Sequence, residues 1–536
     1  LSLAHLASFA QLASVLPRAA TTPIPDTLNT VNTHPLADLT IVDSIGSDLR
    51  AAGFDAENVP AFLGEQAHLA LGRGDKVPSL RQTSDGSPLS TLIRLFLLGV
   101  TVPRAAAEAA FAATGIEAAV GAGAIELATH EAGADEVRAA LDIRPYADED
   151  NSYLVVSDLD SDMRPGPVDP DHVLGIGAAS ISLVRATVRQ QVGSVLDMGT
   201  GCGVQALHAF QHAHTVTATD TSARALALAA ATARLNGQEW ELLAGSAFEP
   251  VAGRTFDQIV SNPPFVISAG EQRFSYRDSG IAGDGLVQQI VAGIPAHLNI
   301  GGTAQLLANW MVFEGTDWRE RVGSWVKATG CDAWVVQREL ADPAEYVAMW
   351  LKDAGEESGD AQSGESESVA GEWLKYFADN KVSGIGMGLI TLRKSGSATP
   401  DVVLDELLLA GDEVTGDEAA AFLARRQWLR DTDDDALLGT TLSLSPAVYL
   451  EQRSLPSADG WTTVLRVIKR AGGVGATLQL DEYSQSLLAG CRGDAPLSML
   501  IGLLAAAHGF DQKSLTELVL PAVRQAITRG IIHPIS

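Results

Sequence analysis

Phe256-Asp257-Gln258-Ile259-Val260-Ser261-Asn262-Pro263-Pro264-Phe265 is the stretch on which the fold of this chain turns. Its first six residues form an apolar run of the kind found in a buried strand. Asn262-Pro263-Pro264 ends that strand, because consecutive prolines donate no backbone hydrogen bond and hold their angles fixed. Upstream stands Val195-Leu196-Asp197-Met198-Gly199-Thr200-Gly201-Cys202-Gly203, a strand that runs into three glycines on alternate positions. Glycines there allow backbone angles barred to other residues and a close approach to a ligand. The helix that follows points its first amide N–H groups at the same place. Between the two stretches, Thr215-Val216-Thr217-Ala218-Thr219-Asp220 is a strand that ends in an acid. A carboxylate at a strand end can accept two hydrogen bonds from a diol.

From about residue 171 onward strands and helices alternate, which implies a parallel sheet with helices on both faces. Strands are expected at 194–199, 215–220, 240–245, 256–262, 302–310, 332–340 and 384–394, with helices near 203–211, 222–236, 285–298 and 316–329. The fold class is therefore α/β, a doubly wound seven-stranded sheet whose last two strands form an antiparallel pair.

An Asp-x-Gly-x-Gly-x-Gly turn followed by a strand-end Asn-Pro-Pro-Phe resembles the class I S-adenosylmethionine (SAM) methyltransferases, which have a Rossmann-like sheet. Within them it looks like the group that methylates planar NH2 nitrogens. The resemblance covers roughly residues 171–394. It implies an enzyme with SAM as cofactor, held by Asp197, Gly199, Gly201, Gly203 and Asp220, and by Ser246, Ala247 and Phe248 around adenine. Relatives often carry Asp where Ser246 stands, so the Ala247 amide and the Phe248 ring are expected to substitute. Asp197 suits the cationic amino acid end of SAM; beside the diphosphate of a dinucleotide it would be badly placed. In the catalytic motif Asn262, Pro263, Pro264 and Phe265, the Asn262 side-chain carbonyl and the Pro263 backbone carbonyl accept both N–H hydrogens of the target. That turns the amine lone pair towards the methyl group, while Phe265 offers a face for stacking. Arg273 and Arg277 are the expected substrate-binding strip, and Asp284 the cap of the next helix. His172, ahead of the sheet, is expected to have no catalytic task. Two subfamilies compete. Phe265 resembles the small-domain ribosomal RNA guanine methyltransferases and favours a nucleobase amino group in RNA or DNA. The Gly283-Asp284-Gly285-Leu286 turn resembles release-factor glutamine methyltransferases, which makes a protein amide the alternative.

The chain has 536 residues and a formal net charge of −29. Residues 171–345 carry net −6, against −13 before and −10 after, so the motif-bearing segment is the least acidic. Broad electrostatic binding to nucleic acid is disfavoured, because phosphate neutralisation needs clustered Lys and Arg. Cys202, Cys331 and Cys491 are far apart and lack CxxC spacing; no disulfide framework and no metal site is expected, and a reducing cytoplasm fits. No apolar run reaches the ~18 residues of a membrane helix.

Residues 1–33 are a tail of uncertain origin. Residues 34–170 are expected to be a helical, winged-helix-like domain, with helices at 38–52, 60–71, 88–98 and 103–112 and two strands at 141–146 and 153–157. Residues 171–395 are the catalytic domain, with 352–371 a disordered acidic insertion. Residues 401–536 are a second helical or winged-helix-like domain, with helices at 484–489, 497–508 and 515–529.

Overall fold

The central sheet contains β1 (Val192–Met198), β2 (Ala213–Asp220), β3 (Glu241–Ala244), β4 (Phe256–Ser261), β5 (Leu298–Phe313), β6 (Asp332–Ala341), β7 (Val382–Arg393) and β8 (Val402–Glu406). The computed structural model describes residues 34–128, 135–160, 163–164, 169–270, 277–353, 364–407, 412–458 and 460–535. The expected tail, residues 1–33, and Arg273 lie outside the described residues. Spatial order in the sheet is β8-β6-β7-β5-β4-β1-β2-β3. Only β7 runs antiparallel to its neighbours; β1 pairs in parallel with both β2 and β4. The strand order reverses at β1 and β4, and in such sheets ligands bind in the crevice beyond the strand ends there.

Neighbouring residues on a strand point to opposite faces, and each face is covered. Leu196, Ile259 and Leu306 pack against α4 (Gly285–His297) and α5 (Trp318–Ala328). Val195, Val260 and Leu307 pack on the other side with α1 (Ala178–Ala186), α2 (Val204–Ala209) and α8 (Gly416–Asp431). Each buried Val, Leu or Ile contributes about 1.5–3 kcal/mol relative to exposure, so both apolar faces must be covered for the sheet to form. α3 (Ala223–Leu235) starts at Ser222, whose hydroxyl accepts from the Ala225 amide at 3.1 Å.

Three expectations are corrected. The sheet has eight strands, not seven, among the described residues. Beyond the 395–400 turn the chain returns to the sheet: Asp401 N donates to Asp332 Oδ1 at 3.0 Å and β8 then pairs with β6. The boundary placed before 401 therefore falls inside the sheet; a five-residue edge strand is too short to stand out by periodicity. The 352–371 stretch, expected to be disordered, includes the end of α6 (Pro343–Asp353) and the start of α7 (Gly364–Asp379), while 354–363 lie outside the described residues. Val369, Trp373 and Phe377 recur at helical spacing and pack with Tyr346. Composition hid this, because the acidic residues precede the apolar stripe.

Ahead of the sheet, helices Leu39–Ala52, Asn58–Leu71, Pro88–Phe96 and Arg104–Ala110 match the expected ones. A three-stranded sheet of Val102–Pro103, Ile125–Ala128 and Glu136–Ala139 was not expected. The expected hairpin is Asp142–Ala147 with Ser152–Ser157. It docks on α3: Asn236 Oδ1 accepts from Leu154 N at 2.9 Å and Thr232 Oγ1 from Val156 N at 3.1 Å. Its Ile143 and Tyr153 share a core with Cys202, Val204 and Leu207, behind the glycine turn. After the sheet, helices Glu482–Gly490, Leu497–His508 and Gln512–Thr528 match expectation, joined by two three-stranded sheets that were not foreseen. No helix among the described residues is long and apolar enough to cross a membrane.

Candidate active site

Asp197 lies at the end of β1 and is 1% exposed. Its Oδ2 accepts from Thr200 Oγ1 at 2.7 Å and Ala206 N at 3.0 Å, which folds the glycine turn back over the strand end. Its Oδ1 is buried and has no partner. Burial pushes the Asp197 carboxyl up to about 7, against hydrogen bonds from Thr200 and Ala206 that favour the charged form.

Gly199, Gly201 and Gly203 have φ of 73°, 55° and 90°, all in the left-handed region. At Gly203 a Cβ would approach Trp240 Cζ3 to 2.6 Å, so that position excludes any side chain. At Gly201 a Cβ would meet nothing within 4 Å, which leaves open space for a ligand beside the turn. Asp220 Oδ2 accepts from Gly201 N and Oδ1 from Ser222 N, each at 2.9 Å. Ser222 caps α3, so Asp220 is not spent as its helix cap. Each Asp220 oxygen keeps a further acceptor site. Burial raises the Asp220 carboxyl, countered by the Ser222 and Gly201 amides.

The two motifs meet in space. A Cβ on Gly199 would stand 3.8 Å from the Asn262 carbonyl oxygen, and Ser261 Oγ donates to Met198 O at 2.8 Å. Asn262 Oδ1 is buried without a partner. A buried unpaired carbonyl costs about 1–3 kcal/mol, so an acceptor kept open here points to a donor brought by a ligand. Pro263 is buried, and Phe265 is half-buried with its ring 6.3 Å from Trp350 at 69°.

After β3, Ser246 is exposed and Ala247 has φ +46, a strained angle for alanine. Gly245 N donates to Asp220 O at 3.0 Å, which places this turn beside the acid. Phe248 departs from expectation. Its ring stacks on His297 at 4.5 Å and lies over Gly293, where a Cβ would come within 2.6 Å of it. That face serves packing against α4 and is closed to adenine.

Arg277 also departs from expectation. It is 2% exposed, donates to Trp350 O at 2.6 Å and lies 3.4 Å from Asp278 Oδ1. A buried, engaged guanidinium cannot bind phosphate on the surface, so the expected basic strip fails at this residue. Asp284 makes no capping bond; it accepts from Met311 N at 2.9 Å and forms a two-pronged pair with Arg321. His172 is buried near Asp158, which Arg224 grips and which accepts from Val173 N at 2.8 Å; this corner is structural. Among the described residues no group of three or more His, Cys, Asp or Glu could hold a metal ion.

Residues 175–314 match the family model described as "Methyltransferase small domain". This stretch is a SAM-dependent methyltransferase domain. It is flanked by matches to two domains of unknown function, DUF7059 over residues 51–140 and DUF7782 over 420–534. The chain is 34% identical over 156 residues to a "Ribosomal RNA small subunit methyltransferase C" of Cronobacter sakazakii, covering 29% of this chain and 41% of that protein. It is 32% identical over 173 residues to the protein of the same name from Escherichia coli, covering 32% of this chain and 46% of that protein. The chain thus spans less than half the length of these curated relatives. Among solved structures, a T. Thermophilus 16S rRNA N2 G1207 methyltransferase in complex with AdoMet and guanosine is similar at 17% identity over 42% of this chain and 57% of that one, with a TM-score of 0.25.

The residues of the methyltransferase domain fit SAM. Asp197 Oδ1 is an acceptor without a partner, suited to an ammonium, Asp220 has acceptor sites left that suit a ribose diol, and a Cβ on Gly201 would meet nothing within 4 Å. A pH dependence follows. The Asp197 carboxyl is raised by folding, so the stability it contributes is present at low pH and lost as pH rises through about 7. The ligand-free chain is expected to melt at a lower temperature at pH 8 than at pH 6, and Asp197→Asn to flatten part of that slope. Asp142, also pushed up to about 7 by burial, accounts for a further part. SAM affinity is expected to run the other way, rising about tenfold from pH 6 to pH 8 as Asp197 ionises. Calorimetry at the two pH values checks this; equal affinities would remove Asp197 from the cofactor site.

Proposed function

We propose that this chain transfers a methyl group from SAM to a planar NH2 nitrogen, and that the acceptor is a nucleobase amino group in RNA. The carrying observation is the pair of buried, unpaired oxygens, Asp197 Oδ1 and Asn262 Oδ1, at the ends of adjacent parallel strands across the glycine turn. When bound, SAM supplies an electrophilic methyl carbon on a sulfonium sulfur. Asn262 Oδ1 and the Pro263 carbonyl accept the two N–H hydrogens of the amine and hold its lone pair in line. Pro263 and Pro264 stiffen the turn and Phe265 stacks on the flat ring. The nitrogen would gain the methyl as the carbon–sulfur bond breaks, leaving a neutral thioether, and would then shed one proton to water. Positive charge on nitrogen develops against two fixed carbonyl dipoles, so positioning and electrostatics carry the rate. Ser246 and Ala247, beside Asp220, are the adenine-side contacts in this reading, with the strained Ala247 backbone as the supporting feature.

The names of the relatives support RNA. One specific pair of observations favours a protein amide instead: the net charge of −29 and the burial of Arg277. The flanking domains, including any winged-helix-like part, are read as the parts that grip the substrate. Purified chain given methyl-labelled SAM with ribosomes, ribosomal RNA, DNA and release factors is expected to label RNA. Label confined to release factor would replace the nucleobase reading with the amide one.

A further inference from the structure

Tyr346 is fully buried on α6, and its hydroxyl accepts from the Ile267 amide at 3.0 Å and from Asn309 Nδ2 at 2.9 Å. Ile267 is two residues beyond Phe265. The same hydroxyl therefore ties the chain leaving the Asn-Pro-Pro-Phe turn to Asn309 of β5. One turn further along α6, Trp350 meets Phe265 edge to face, and its backbone carbonyl takes the Arg277 guanidinium. The Val266 amide donates to Arg277 O at 3.1 Å, which closes the brace around the turn. Val266, Ile267 and Met311 form one apolar cluster with Tyr346, Val347, Trp373 and Phe377. The helical pair inserted between β6 and β7 thus packs directly on the proposed catalytic turn.

We infer that α6 is the acceptor-selecting wall of this methyltransferase, with Trp350 as a specificity-determining side chain and Tyr346 as a positioning residue. Phe265 and Trp350 are both half-buried, and their rings stand at 69°. Each ring is partly exposed, so a flat group that stacks on Phe265 would have Trp350 as its neighbour. Bulk and shape at such a neighbour discriminate between acceptors. Packing alone does not explain Tyr346. A phenylalanine would fill the same volume, yet here an oxygen stands between two donors that would otherwise be buried and unpaired. Small displacements of a positioned turn cost rate far more than binding. This inference rests on the reading that Asn262 to Phe265 hold the acceptor.

Steady-state transfer on the labelled fraction, with SAM affinity by calorimetry and thermal melting, tests it on the full chain. Tyr346→Phe is expected to lower kcat by about tenfold with acceptor KM and SAM affinity within about twofold. Trp350→Leu is expected to raise acceptor KM by about tenfold, leave SAM affinity unchanged, and narrow the preference between RNA and the other fractions. Trp350→Phe replaces it if the leucine variant does not fold. Wild-type transfer with an unchanged KM for the Trp350 variants, or losses in both variants that track melting temperature and SAM affinity, overturns the inference and leaves the proposed function intact. A wild-type chain that binds SAM and labels no fraction overturns both.

Discussion

Asn262→Ala is expected to abolish methyl transfer, by about 10³-fold or more in kcat, while SAM affinity stays within about threefold. The amine of a nucleobase or amide is a poor nucleophile because its lone pair is delocalised. In the proposed mechanism two acceptors fixed at the right places turn that lone pair towards the methyl group, with Asn262 Oδ1 as the side-chain member of the pair. It is buried and unpaired, so nothing in the protein competes for it. It lies beyond β4, whose Ser261 is tied to Met198 O of β1 at 2.8 Å, so the alanine variant should keep its fold. The proposed cofactor contacts come from β1, β2 and the turn after β3, none of which uses the Asn262 side chain. Stopped transfer with intact cofactor binding is therefore the signature. Loss of SAM binding in the same variant would show that Asn262 shapes the cofactor pocket instead.

Asp220→Ala should weaken SAM binding by about 10²–10³-fold. The carboxylate has two tasks, and alanine removes both. It holds the glycine turn through Gly201 N and the start of α3 through Ser222 N, each at 2.9 Å. Its remaining acceptor sites are the ones proposed for a ribose diol. Hydrogen bonds to a charged group contribute about 1.5–3 kcal/mol each, and two of them account for that loss of affinity. Asp220→Asn, which keeps one acceptor but places an NH2 group against one of the two amide donors, should fall between. Calorimetry with SAM reads both variants, and circular dichroism checks that the sheet persists. An alanine variant that binds SAM as the parent does would assign Asp220 to the turn alone.

The parts of the site that were legible in the sequence are strand ends and the turns that follow them. Asp197, the three glycines, Asp220 and Asn262 each sit where a buried strand stops, and local chemistry announces that stop. Alternate glycines, a proline pair and an acid after β-branched residues constrain backbone angles within a few residues, so neighbours in sequence suffice to read them. Phe248 and Arg277 carried no such constraint. An aromatic ring and a guanidinium are indifferent to whether a ligand or a helix satisfies them, and here His297 and Trp350 O do so from distant parts of the chain. Asp284 illustrates the same point: it stands at a helix start but pairs with Arg321, which only the packing of α4 on α5 brings near.

The helical insert α6–α7 was missed for a different reason. Acidic, Gly- and Ser-rich composition dominates residues 352–371, and the aromatic positions that signal a packed helix lie on either side of it: Tyr346 and Trp350 before, Trp373 and Phe377 after. Spacing of four residues in both pairs was the available signal.

By itself the sequence determined an alternating α/β domain with a glycine bend after one strand and a proline stop after its neighbour, because strands, glycine bends and proline stops are written in short-range backbone preferences. Only the tertiary structure decided which charged and aromatic side chains are free to meet a ligand. That question depends on partners brought from afar, and burial leaves a group open only where the fold supplies none.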